Sequence, residues 1–108
     1  MCDNTYGAMA SYIMQIRKLV PEAALYEQLA EECNELSQAC LKKARKLRNE
    51  NYTPKTMEEI DENLEEEYTD VQLSAYACGL IINWNIEHEK AVRWIKRNKM
   101  IENSEVQQ

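Results

Sequence analysis

The chain has 108 residues, with 13 Lys and Arg against 19 Asp and Glu for a formal net charge of −6, and is 44% hydrophobic and 30% charged. That is one domain with a small core, and a composition that folds. Two glycines and two prolines are too few for the turns of a β-sandwich or for a glycine-rich nucleotide loop, so the expected class is all-α.

The negative field disfavours nucleic acid as a partner, while small anions stay accessible through a metal or a local basic patch. No apolar run approaches the ~20 residues that span a bilayer, and Met1-Cys2-Asp3-Asn4 does not open a secretory signal. The expectation is a soluble cytoplasmic protein without membrane contact. Cys2, Cys33, Cys40 and Cys78 form no CxxC pair and His88 is the single histidine, so the usual Cys/His zinc spacing is missing. Three of the cysteines fall on helical core positions and are expected as buried thiols.

The first predicted helix carries Tyr6, Met9, Ile13, Ile16 and Val20 on one stripe, with Asn4 or Thr5 as its cap. Pro21 breaks the chain and opens a second helix that runs to Arg48, with Leu25, Leu29, Leu36, Cys40 and Leu47 along its seam. Asn49 to Thr56 reads as a loop, either a plain connection or a substrate lid. Thr56-Met57-Glu58-Glu59 is a capping-box pattern opening a third helix to about Asn83, with Ile60, Leu64, Val71, Ala75, Cys78 and Ile82 on one side. Gly79 marks a close crossing or a weak point. A break at Asn83 to Asn85 precedes the fourth helix, with Ile86, Ala91, Trp94 and Ile95. The domain is expected over 1–101, and 102–108 as a fraying polar tail.

Two carboxylates interrupt these stripes. The 4-3-4 spacing runs Leu25, Leu29, Glu32, Leu36 on the second helix and Ile60, Leu64, Glu67, Val71 on the third. An ionised carboxylate buried without a partner costs several kcal/mol. Each has an acidic companion one turn on, Glu35 after Glu32 and Asp70 after Glu67, on a shared face. If the two helices pack antiparallel, the four acids converge and call for a cation. An all-oxygen set suits Mg²⁺ first and Mn²⁺ second. The alternative is a solvated acidic face, since residues 58–70 hold eight acids in thirteen positions.

At these residues the chain resembles the MazG-like all-α nucleoside triphosphate pyrophosphohydrolases, whose mark is EExxE on one helix and ExxD on the next. Here those are Glu31-Glu32-Cys33-Asn34-Glu35 and Glu67-Tyr68-Thr69-Asp70. The resemblance covers roughly residues 10–100. It implies a four-helix bundle that assembles as a homodimer or homotetramer, and Mg²⁺-dependent hydrolysis of (d)NTP to (d)NMP and pyrophosphate. By position, Glu32, Glu35, Glu67 and Asp70 would be metal ligands, with Glu31 helping to orient the attacking water. Of the phosphate-binding pattern on the fourth helix Asn98 is present, but Trp94 stands where similar proteins carry a lysine. Arg93, Lys96, Arg97, Asn98 and Lys99, with Lys90, form a basic stretch without an acid between 90 and 99, suited to the outer phosphates or to a helix C-terminus.

Trp84, Trp94, Tyr68 and Tyr76 could stack on a base, although aromatics at helical spacing are more often core. His88 is expected exposed and without a role. A carboxylate-bridged di-iron bundle lacks its Glu-x-x-His pairs. The competing function class is a non-catalytic helical adaptor.

Overall fold

Turn-forming residues set where each helix stops. The computed structural model describes residues 2–50 and 54–107, with side chains described for 7–50 and 54–102. Among these are four helices and no strand: α1 (Cys2–Leu19), α2 (Glu22–Leu47), α3 (Met57–Ala77) and α4 (Trp84–Gln107). The all-α expectation holds.

Pro21 sits at the N-cap of α2 with extended backbone (φ −58°, ψ 147°), one place before the expected first helical position. Its carbonyl accepts from Leu25 N at 3.1 Å, which starts the helical ladder. At the other end Asn49 takes a left-handed φ of 55°, and Glu50 N donates to Arg45 O at 3.0 Å. That six-residue closure satisfies a terminal carbonyl that the helix leaves free. The loop expected over Asn49–Thr56 falls partly on residues 51–53, which lie outside the described residues, as do the side chains of Asn4, Thr5, Tyr6 and Cys2. The backbone of α1 is already helical from Cys2, ahead of the expected cap.

The capping box at Thr56 is present in full. Glu59 N donates to Thr56 Oγ1 at 3.2 Å and Thr56 N to Glu59 Oε1 at 3.3 Å. The far end of α3 corrects the sequence reading. The helix ends at Ala77, not Asn83, because Gly79 adopts φ 80° and Leu80 N closes onto Ala75 O at 2.9 Å. Gly79 is a helix stop, and the left-handed geometry is what needs a residue without Cβ. Leu80, Ile81 and Ile82 therefore form a connection, and Ile82 is exposed rather than on the α3 seam. Asn83 caps α4, its Oδ1 accepting from Asn85 N at 3.1 Å and Ile86 N at 3.2 Å. Helix α4 then runs to Gln107, through the expected fraying tail. Glu and Gln propagate a helix without an apolar stripe.

Helices α2 and α3 form an antiparallel hairpin: Tyr26 hydroxyl reaches Cys78 O at 3.4 Å near one end, and Lys43 pairs with Asp61 near the other. Helix α1 packs more lightly on α3. Among the described residues the buried apolar side chains, Leu25, Ala39, Ile60 and Ala77, all belong to the hairpin. Helix α4 packs substantially on none of the other three, and every side chain from Trp84 to Glu102 is exposed. Several expected core residues are consequently not buried. Leu47, Tyr68, Tyr76, Trp84 and Trp94 are exposed, as are the thiols of Cys33 and Cys40, while Cys78 is half-buried. Among the described residues, no other helix of the chain covers these side chains.

Candidate metal centre

The hairpin register brings the two seam glutamates together. Glu32 of α2 and Glu67 of α3 are half-buried and Asp70 is exposed, and one carboxylate oxygen from each lies within 4.8 Å of the others. The antiparallel pairing sets this proximity. With Tyr26 opposite Cys78 and Lys43 opposite Asp61, the middle of α2 faces the middle of α3, where each stripe carries its glutamate. On α3, Asp70 follows Glu67 by three residues and so shares its flank.

Glu35 and Glu31 do not contribute an oxygen to this group of three, and both are exposed. They still act on it. The Glu32 pKa is raised, first by partial burial, then by the charges of Asp70, Glu67, Glu35 and Glu31 in that order. All four neighbours push the same way, so Glu32 sits at the centre of a field that opposes its own ionisation. Among the described residues the one ion pair is Lys43–Asp61, away from the cluster, so no lysine or arginine offsets it.

A hard divalent ion fits this donor set. Mg²⁺ takes oxygen ligands at about 2.1 Å, which puts neighbouring ligands about 3 Å apart and opposite ones about 4 Å apart. Three oxygens within 4.8 Å need only small side-chain rotations to close on one ion. Asp70 lies at the solvent edge, leaving room for waters or phosphate oxygens, which Mg²⁺ ordinarily retains.

The basic stretch is elsewhere. Lys90, Arg93, Lys96, Arg97, Asn98 and Lys99 lie on α4, all exposed, and α4 does not carry them to the carboxylates of its own chain. Arg97 lies over the Trp94 ring at 5.8 Å, a contact within the helix. His88 is exposed.

Sequence reasoning missed two features. Arg17 clamps α1 to the end of α3, its Nε donating to Ala77 O at 3.0 Å and its Nη2 to Tyr76 O at 2.8 Å. A cation here answers the unsatisfied carbonyls and negative dipole of the helix end, and no local pattern announces it. The second is that three of the four base-stacking candidates, Tyr68, Tyr76 and Trp84, share one groove of about 540 Å³, lined also by Val71, Ala75 and Leu80 among others. Its signal is the four-residue ladder Tyr68, Gln72, Tyr76, in which Gln72 Nε2 donates to the Tyr76 hydroxyl at 3.3 Å. At 100° per residue Tyr68 and Asp70 point to opposite flanks of α3, so this groove is not the carboxylate site. In comparisons with known proteins, no family model, no curated protein and no solved structure matches the chain.

Proposed function

We propose that the chain is a Mg²⁺-dependent nucleoside triphosphate pyrophosphohydrolase of the MazG-like kind, cleaving (d)NTP to (d)NMP and pyrophosphate. One observation carries the reading: oxygens of Glu32, Glu67 and Asp70 gather on the seam of a two-helix hairpin, where apolar packing would otherwise be favoured. A bound divalent cation would neutralise the polyphosphate and lower the pKa of a water for in-line attack at the α-phosphorus.

The remaining work falls to the chain's own carboxylates. Glu32 and Glu67 form the floor of the site, and Asp70 stands at its open edge. Glu35, one turn from Glu32, would complete the ligand set, and Glu31 would accept a proton from the attacking water or orient it. In this reading Arg93, Lys96, Arg97, Asn98 and Lys99 meet the outer phosphates from α4 of whichever copy in a homodimer or homotetramer faces the carboxylates. No covalent nucleophile is needed.

The test is incubation of the purified chain with canonical and modified nucleotides plus Mg²⁺ or Mn²⁺, following monophosphate and pyrophosphate. Pyrophosphate release that disappears in Glu67→Gln supports the reading. Folded protein without turnover on the whole panel favours the helical adaptor, and release of orthophosphate alone indicates a different phosphatase chemistry.

A further inference from the structure

The groove on the flank of α3 away from the carboxylates is formed by two segments that the backbone holds in place. Tyr68, Gln72 and Tyr76 follow one another along α3 at four-residue spacing, about 6 Å of rise per step, and all three line it. Beyond the helix, the left-handed Gly79 and the Asn83 cap fix the short connection between them. Leu80 and Ile82 of that connection, with Trp84 at the head of α4, line the same groove.

Its lining is aromatic and aliphatic with one amide, and contains no Asp, Glu, Lys or Arg. A groove of about 540 Å³ has the size of a small-molecule site, and such sites are mostly apolar with a few placed polar groups. Tyr68, Tyr76 and Trp84 offer faces on which a planar ring can stack. Gln72 supplies the polar group. One N–H of its amide donates to the Tyr76 hydroxyl at 3.3 Å, which sets the orientation of the amide. Among the described residues, the second N–H and the carbonyl oxygen have no protein partner, so one donor and one acceptor face a ligand.

These features select the chemistry of the occupant. An amide offering a donor beside an acceptor matches a ring nitrogen beside an exocyclic amine, the edge that adenine presents. A phosphate gains nothing here, since no cation lines the groove and α3 carries eight acids between 58 and 70. An aliphatic chain uses neither the ring faces nor the amide.

We infer that this groove binds an uncharged planar nitrogen heterocycle of the adenine type, stacked among Tyr68, Tyr76 and Trp84, with its amine-bearing edge read by Gln72. The site takes a nucleoside rather than a nucleotide. It is separate from the carboxylates and stands or falls independently of the pyrophosphohydrolase reading.

Equilibrium dialysis of the full chain against adenosine in chelator tests it, because neither metal nor phosphate then contributes. Saturable binding of one ligand per chain is expected. Inosine, and adenosine doubly methylated on its amine, are expected to compete about tenfold more weakly, since each lacks the amine donor. Gln72→Leu is expected to erase that preference while adenosine still binds. Trp84→Ala is expected to weaken adenosine about tenfold, and Glu67→Gln to bind as the parent does. Tyr68, Gln72 and Trp84 are exposed, so helix content by circular dichroism is expected to stay parental. Should Trp84→Ala lose it, Tyr68→Ala takes its place with the same outcomes. Absence of saturable binding would overturn the inference, as when another chain closes the groove. So would equal competition by inosine, which leaves a stacking face without a reader. Binding that Glu67→Gln removes and Trp84→Ala spares would overturn it too, because the ring would then sit at the carboxylates.

Discussion

Glu32 of α2 and Asp70 of α3 hold carboxylate oxygens within 4.8 Å of each other, and Asp70 is the strongest of the neighbouring charges that raise the Glu32 pKa. Like charges this close, one of them half-buried, oppose folding in the absence of a cation. The hairpin around them is secured by Leu25, Ala39, Ile60 and Ala77. The site is thus held together by its surroundings and strained within, the condition in which a bound ion stabilises most.

Replacing Glu32 or Glu67 by Leu is expected to stabilise the chain in metal-free buffer by about 1 kcal/mol, because a repelled carboxylate gives way to an apolar side chain on an apolar seam. The same variants are expected to lose the stabilisation that Mg²⁺ gives the parent, about 2.7 kcal/mol at a hundredfold excess over Kd. Thermal melts with and without Mg²⁺ read both effects. A parent chain whose melting ignores Mg²⁺ would contradict the metal site.

The raised pKa of Glu32 fixes the sign of a pH effect. Folded protein holds this proton at pH values where unfolded chain has released it, so stability falls as pH rises from the ordinary carboxylate range through the raised value. Below that window the cost vanishes, and above it the cost is fully present. Urea melts across this range in chelator are expected to show the decline for the parent and a weaker one for Glu32→Gln.

Helix ends give predictions independent of the site. Thr56→Ala removes a complete capping box and should cost about 1 kcal/mol. Gly79→Ala places a Cβ only 3.6 Å from Arg17 Nη2, an ordinary contact, so its cost is that of a left-handed φ alone, about 1 kcal/mol. Equilibrium unfolding measures both. A loss well above this for Gly79→Ala would mean that the added methyl also displaces Arg17.

Arg17→Met should release α1 from the end of α3, since both of its hydrogen bonds to the Ala77 and Tyr76 carbonyls are lost. Hydrogen exchange is expected to accelerate across α1 while α2 and the first turns of α3 keep their protection. Unchanged α1 protection would show that apolar contacts alone hold it.

These cases separate what was legible in the sequence from what was not. Thr56 and Glu59 carry a local pattern, and the cap followed from it. Glu32 and Glu67 stood out because a charge on an apolar seam breaks its period, and their meeting required only an antiparallel hairpin. The end of α3 was misread because Leu80, Ile81 and Ile82 continue an apolar run past Gly79, hiding a stop that backbone geometry imposes. The isolation of α4 was not legible either. Periodicity says which face of a helix is apolar and is silent on which chain covers it, so Tyr68, Trp94 and Cys40 resembled core. Arg17 acts across most of the chain, on carbonyls of no particular residue type.

The central claim is that Glu32, Glu67 and Asp70 hold a divalent cation. Crystals grown in Mn²⁺ and measured for anomalous scattering test it most directly. A peak is expected between the three side chains, about 2.1 Å from an oxygen of each, and is expected to be absent in crystals of Glu67→Gln. Saturating Mn²⁺ with no peak there, and the three carboxylates turned apart into solvent, would contradict it.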